Sequence, residues 1–161
     1  MIHDDAHWMG YALREARKAA ARGEVPIGAV IVHGGKIVSR GHNLRESRHD
    51  PSAHAELIAI RKAAAKLGDW RLSGTTLYVT LEPCIMCMGA ILLARIERVV
   101  FGCYDPKGGA AGSLYDLSDD RRLNHRVVLE SGVLKADCST LLSNFFAALR
   151  KEKKAVKDKQ V

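Results

Sequence analysis

The chain has little cysteine, a single Cys-x-x-Cys pair, and no apolar run near the roughly 20 residues that cross a bilayer. Its opening residues, MIHDDAHWMG, have neither a basic n-region nor an apolar h-region, so no secretory leader is expected there. These absences point to a soluble, cytoplasmic protein with no membrane partner. In a reducing compartment Cys84, Cys87, Cys103 and Cys138 are expected as thiols or metal ligands rather than disulfides. No repeat, low-complexity segment or linker interrupts residues 1–150, so one domain with a core of ordinary size is expected there, followed by a basic tail over 151–161.

Charge is unevenly spread. Of the net +7, residues 150–161 carry +4, six Lys/Arg against Glu152 and Asp158, and the other 149 residues carry only +3. A basic end attracts polyanions, nucleic acid above all, through counterion release. A solvated helix end kept soluble by lysines has the same composition.

Trp8, Ala12, Ala16 and Ala20, flanked by Met9 and Leu13, recur at helical spacing and predict a helix over 4–22, ending near Gly23. Two apolar runs, IGAVIVH and KIVSRGH, flank Gly34-Gly35 in the pattern of a β-hairpin. HAELIAIRKAAAKL, residues 54–67, reads as a helix closed by Gly68, and TTLYVT as a strand. Pro83 stands where a first helical residue would, opening CIMCMGAILLAR toward another strand, RVVFG. After an irregular stretch, RVVLE offers a short fifth strand. Cys138, Leu142, Phe145 and Leu149 then mark the apolar stripe of a last helix. The order α-β-β-α-β-α-β-β-α predicts an α/β fold, a mixed five-stranded sheet with helices on both faces in three α/β/α layers.

Cysteines three apart at a helix start share one face near the positive end of the helix dipole, which favours thiolate. Cys84 and Cys87 could therefore serve a redox pair, half of a structural zinc site or half of a catalytic one. Cys103 follows an apolar strand and Cys138 lies on an apolar stripe, so both read as buried small hydrophobes. Among the histidines, His3 and His7 at an exposed helix start, His33 and His42 at strand ends, and His125 in a loop are poor third ligands. His54 differs, because it begins a helix and Glu56 follows two residues on. Two residues of helix is about 200° of rotation, so both can address one site only if the helix begins near His54. Two helices, from 54 and from 83, would then aim their N-termini at one zinc ion.

Three ligands, His54, Cys84 and Cys87, would leave a tetrahedral zinc one open position. Water there becomes hydroxide near neutral pH. Glu56 is placed to take the released proton and hand it to a leaving amine. Taken alone, Glu56 has a plainer reading as a helix-dipole partner in a first turn.

HAE at 54–56 with PCIMC at 83–87 resembles the H-x-E and P-C-x-x-C signature of the zinc-dependent cytidine/deoxycytidylate deaminase superfamily. EVPIGAVIV, GHN at 41–43, RHDPSAHAE, TLYVTLEPCIMCMGA, RVVFG, DPKGGAAGS at 105–113, NHRV at 124–127 and FF at 145–146 narrow the likeness. Together they are similar to the bacterial tRNA-specific adenosine deaminases, over about residues 5–150. The resemblance implies a cytidine deaminase-like fold and one Zn2+ per chain on His54, Cys84 and Cys87, with Glu56 as general acid/base. It implies conversion of adenosine to inosine at the wobble position of a tRNA anticodon. It further implies that Asn43 binds the target nucleoside, that Asp105 and Lys107 face RNA from one loop, that Phe146 and Arg150 touch the anticodon stem-loop, and that the protein is a homodimer. The chain departs from some relatives after the paired phenylalanines, with AALRKEKK in place of consecutive arginines. Two other readings share the zinc signature: a noncatalytic zinc module closed by a fourth protein ligand, and a deaminase of free cytosine or guanine.

Overall fold

The computed structural model of the chain describes residues 2–161. Asp4 caps the first helix, α1 (Asp5–Ala21), by accepting from the His7 N–H at 2.9 Å. The hairpin β1 (Gly28–His33) and β2 (Lys36–His42) turns through Gly34 and Gly35, both at positive φ as its tight turn requires. α2 (Ala55–Leu67) ends at Gly68 in the left-handed region, and β3 (Thr75–Leu81), α3 (Ile85–Leu93) and β4 (Arg98–Cys103) follow. β5 (Val128–Ser131) and α4 (Lys135–Asp158) complete the expected order of nine elements.

The sheet runs β2-β1-β3-β4-β5, with β1 antiparallel to both its neighbours and β3, β4 and β5 parallel. Successive strand residues point to opposite faces, and both faces are apolar, so both must be covered. Ala29, Ile31, Leu77, Val79, Val99 and Phe101 pack with Ala55 and Ala59 of α2 and Met88 and Ile91 of α3. On the other face Val30, Val32, Tyr78 and Val100 pack with Trp8, Met9 and Leu13 of α1 and Cys138 of α4. The result is the three-layer α/β/α sandwich that the alternation predicts.

Asp5 fixes α1 across the sheet. Its carboxylate takes both guanidinium hydrogen bonds of Arg98 at 2.7 Å and the Tyr78 hydroxyl at 2.9 Å. The Arg98 bonds hold the Asp5 carboxyl below the usual carboxylate range, against the opposing effect of burial.

β2, β3 and β4 point the same way, so their C-terminal ends at His42, Leu81 and Cys103 meet at one edge of the sheet. Open α/β sheets place ligands at such an edge. Gly41 matters here: a Cβ on it would lie 2.4 Å from the Ala55 carbonyl oxygen, so only glycine lets the first turn of α2 settle onto β2.

Two expectations change. Pro83 is not the first helical residue: α3 starts at Ile85, with Cys84 as an extended N-cap (φ −77°, ψ 178°). The turn stays extended because Cys84 pairs with Gly109 and the Ala110 N–H donates to the Pro83 carbonyl at 2.8 Å. α4 runs well past the apolar stripe, since RKEKKAVKD lacks any glycine or proline to stop it. The division drawn at residue 150 therefore falls inside a continuous helix.

Candidate metal centre and active-site cavity

The N-termini of α2 and α3 converge as the spacing of His54 and Glu56 requires. His54 is the N-cap of α2 with extended backbone (φ −80°, ψ 151°), and Cys84 is the N-cap of α3. Neither side chain makes the capping hydrogen bond usual at that position. Both instead turn toward Cys87. His54 Nδ1 lies 3.7 Å from Cys84 Sγ and 3.6 Å from Cys87 Sγ, and the three donor atoms are all within 4.8 Å of one another. Zinc bonds of about 2.0 Å to nitrogen and about 2.3 Å to sulfur, at a tetrahedral angle, separate those donors by about 3.6 Å. The cluster thus has the spacing and the donor chemistry of a tetrahedral His/Cys/Cys zinc site.

The protonation pattern agrees. A hydrogen bond from the Cys87 thiol, with the nearby His54 imidazole, pulls Cys84 down to about 4 against the cost of burial. Cys87, as donor to Cys84 and itself buried, is pushed up. One thiolate is present readily, and the second proton leaves when a cation takes its place. The hydrogen bond with Cys84 likewise raises His54.

Glu56 is 4% exposed, in the first turn of α2. Burial pushes its carboxyl above the ordinary carboxylate range, outweighing a hydrogen bond with Cys87 and the attraction of His54. A carboxyl raised in this way takes up a proton more readily than a solvated surface carboxylate, as a proton carrier requires.

These groups line a cavity of about 740 Å³ at the C-terminal edge of the sheet. Asn43, Asp105, Lys107, Phe146 and Arg150, all expected substrate contacts, line it with His54, Glu56 and Cys84. Cys87 is fully buried and completes the donor cluster without lining the cavity. Asn43 is set rigidly: its Oδ1 accepts from the Arg45 N–H at 3.1 Å and its Nδ2 donates to the Val25 carbonyl at 3.2 Å. Only one of the two Nδ2 hydrogens is so engaged among the described residues, which leaves the other for a ligand. On α4, Ser139, Leu142, Ser143, Phe146 and Arg150 recur at helical spacing and form one wall. Cys103 and Cys138 are buried at 7% and 1% exposure and belong to the core, as expected.

Two carboxylates that the sequence did not single out shape this cavity. Glu24, fully buried, accepts from the Glu46 N–H at 2.8 Å and from the Ser47 N–H and hydroxyl at 3.2 and 2.9 Å, which fixes the loop after Asn43. Glu82, next to the metal turn, accepts from the 105–113 loop. Burial opposes ionisation of Glu82, but the bonds from Ser113, Asp105 and Ala111 outweigh it and hold its carboxyl low. The one signal in the sequence was an acid closing each segment, EVP and LEP, where an apolar residue would be ordinary.

The fold and this donor set define a class. Residues 2–103 match the model of the cytidine and deoxycytidylate deaminase zinc-binding region, and the chain belongs to that family. It is 54% identical over 153 residues to the tRNA-specific adenosine deaminase of Bacillus subtilis, 95% of each chain, and 51% identical over 154 residues to that of Haemophilus influenzae, 95% of this chain and 89% of that one. A solved structure from a study of A-to-I editing by tRNA:A34 deaminases at the wobble position superposes with a TM-score of 0.82 at 45% identity, covering 84% of this chain and 99% of that one. Similarity on this scale places the chain with the bacterial tRNA-specific adenosine deaminases.

Proposed function

We propose that the protein hydrolytically deaminates adenosine to inosine at the wobble position of a tRNA anticodon. The observation that carries this reading is the three-donor cluster beside the buried Glu56 in a cavity also lined by Asn43, Asp105, Lys107, Phe146 and Arg150. His54, Cys84 and Cys87 would hold one zinc ion. Bound there, zinc supplies Lewis acidity that makes hydroxide available from water at neutral pH.

The chain's own groups do the rest. Asn43 donates its remaining amide hydrogen to the base and fixes its orientation. The Glu56 carboxylate takes a proton from the attacking water and delivers it to ring N1 as oxygen bonds to C6. It then carries the second water proton to the exocyclic nitrogen, so that the C6–N bond breaks and ammonia leaves. Burial serves this shuttle, because it raises the Glu56 carboxyl above the ordinary carboxylate range and so makes the protonated form easier to reach during the reaction. Asp105 and Lys107 on one wall and Phe146 and Arg150 on the other would hold the flanking nucleotides of a single-stranded loop, where turning out a base costs less than in a duplex.

The rival readings are less well supported. A noncatalytic zinc module needs a fourth protein ligand, and the cluster comprises three donors among the described residues. A free base would leave the α4 wall and the basic residues beyond it without a use. Residues 1–150 would form the deaminase domain, with 151–161 a basic extension that draws RNA phosphates. α3 presents Ile85 and Leu93, 54% and 71% exposed, from a helix without a charged residue, and this supports a homodimer covering that face. Among the described residues no helix is long and apolar enough to cross a membrane, and a tRNA substrate fits a cytoplasmic location.

The test offers purified protein an anticodon stem-loop with adenosine at the wobble position, beside free adenosine, cytosine and guanine. Inosine should form in the stem-loop far faster than any free base or nucleoside is converted. Preference for a free base would overturn the substrate assignment.

A further inference from the structure

Glu82 has a use that the mechanism above does not touch. It is 3% exposed, lines the cavity, and forms no ion pair among the described residues. A buried carboxylate without a cation needs several donors, and here one short loop provides all of them. Oε1 accepts from the Asp105 N–H at 2.9 Å and from the Ser113 hydroxyl; Oε2 accepts from the Ala111 N–H at 2.9 Å and the Ser113 N–H at 3.0 Å. The main chain adds the bridge between Cys84 and Gly109 and the bond from Ala110 to Pro83. A Cβ on Gly109 would lie 2.2 Å from the Glu82 carboxyl carbon, so the loop must be glycine there to close over the anion. DPKGGAAGS is thus a cradle of N–H groups around an internal carboxylate, built like an anion-binding nest.

We infer that Glu82 is a positioning residue: it fastens the 105–113 loop to the turn bearing Cys84, so that Asp105 and Lys107 are held in register with the metal ligands before RNA arrives. The use of that loop for RNA rests on the proposed function. Glu82 reaches Asp105 directly, and the Asp105 carboxylate in turn accepts from the Lys107 N–H at 3.0 Å, so one anion sets the loop from its first residue. A loop ordered in advance spares RNA binding the entropy of ordering it. Glutamine cannot replace the carboxylate, because whichever oxygen becomes NH2 then faces an N–H donor.

The test compares wild-type protein with E82Q and S113A, each checked for zinc content. In E82Q, amide hydrogen exchange in residues 105–115 should be about tenfold faster with β3 unchanged, as loss of charge-assisted bonds from one loop requires. KM for the anticodon stem-loop should rise about tenfold while kcat stays within about threefold, because bound RNA re-orders the loop. S113A removes one bond only, leaves the fold intact, and should shift exchange and KM in the same directions by smaller factors. Unchanged exchange in 105–115, or an equal rise in β3, overturns the anchor; faster exchange with KM unchanged overturns its role in RNA binding. Wild-type protein inert toward the stem-loop would sink the proposed function, and the exchange comparison would still decide the anchor.

Discussion

Replacing Asp5 with asparagine tests how α1 is held to the sheet. The carboxylate is 28% and the Arg98 guanidinium 31% exposed, with two hydrogen bonds of 2.7 Å between them and a third from Tyr78. Exposed pairs are worth under about 1 kcal/mol. Removing one partner of a fully buried pair costs about 3–5 kcal/mol. This bidentate, half-sheltered pair lies between, so D5N should cost about 2 kcal/mol and, for a chain of this size, lower Tm by about 4–8 °C. The sign of the pH dependence follows from the lowered carboxyl. Because the folded value lies below the unfolded 3.8, the contribution is complete above that pH and is lost as pH falls through the folded value. Thermal unfolding of wild type and D5N should therefore differ by a constant amount from about pH 8 down to about pH 6, roughly two pH units above the unfolded value, where the carboxyl is ionised in both states, and should converge in stronger acid. The double variant D5N/R98M should be no less stable than R98M alone. A deficit below about 0.5 kcal/mol at neutral pH, or one that persists unchanged in strong acid, would refute the reasoning.

Three further outcomes are expected. Glu56→Gln should keep stoichiometric zinc and lose at least about a hundredfold in kcat, measured as inosine formed per unit time; retained turnover would remove Glu56 from proton transfer. Gly41→Ala should cost about 1–3 kcal/mol in urea unfolding, because the new methyl meets the Ala55 carbonyl. Exchanging Lys153, Lys154 and Lys157 for glutamine should reduce the slope of log affinity against log salt for a stem-loop by up to about 2, and no change in slope would mean that this end of α4 does not meet phosphate.

The element order, both helix closures and the hairpin were readable because apolar periodicity and glycine placement are local signals. So was the condition that α2 start at His54, since two residues of helix separate side chains by more than half a turn. What escaped the sequence was set by tertiary contacts. Pro83 is an ordinary first helical residue by propensity, yet the strand-like pairing of Cys84 with Gly109 delays α3 to Ile85. Glu24 and Glu82 look like surface acids until the chain folds loops from 22 and from 23 to 31 residues away onto them. The bidentate link from Asp5 to Arg98 spans 93 positions, beyond any local pattern. The length of α4 depended on the absence of a stop signal, and a stripe of apolar residues marks where a helix packs, not where it ends.

The most direct test of the account is X-ray absorption at the zinc edge on freshly purified protein, together with metal quantification. One zinc per chain, bound by two sulfurs, one imidazole nitrogen and one exchangeable light atom from solvent, is the expected result. A shell completed by a fourth protein donor, or protein that folds and turns over the stem-loop without zinc, would contradict it.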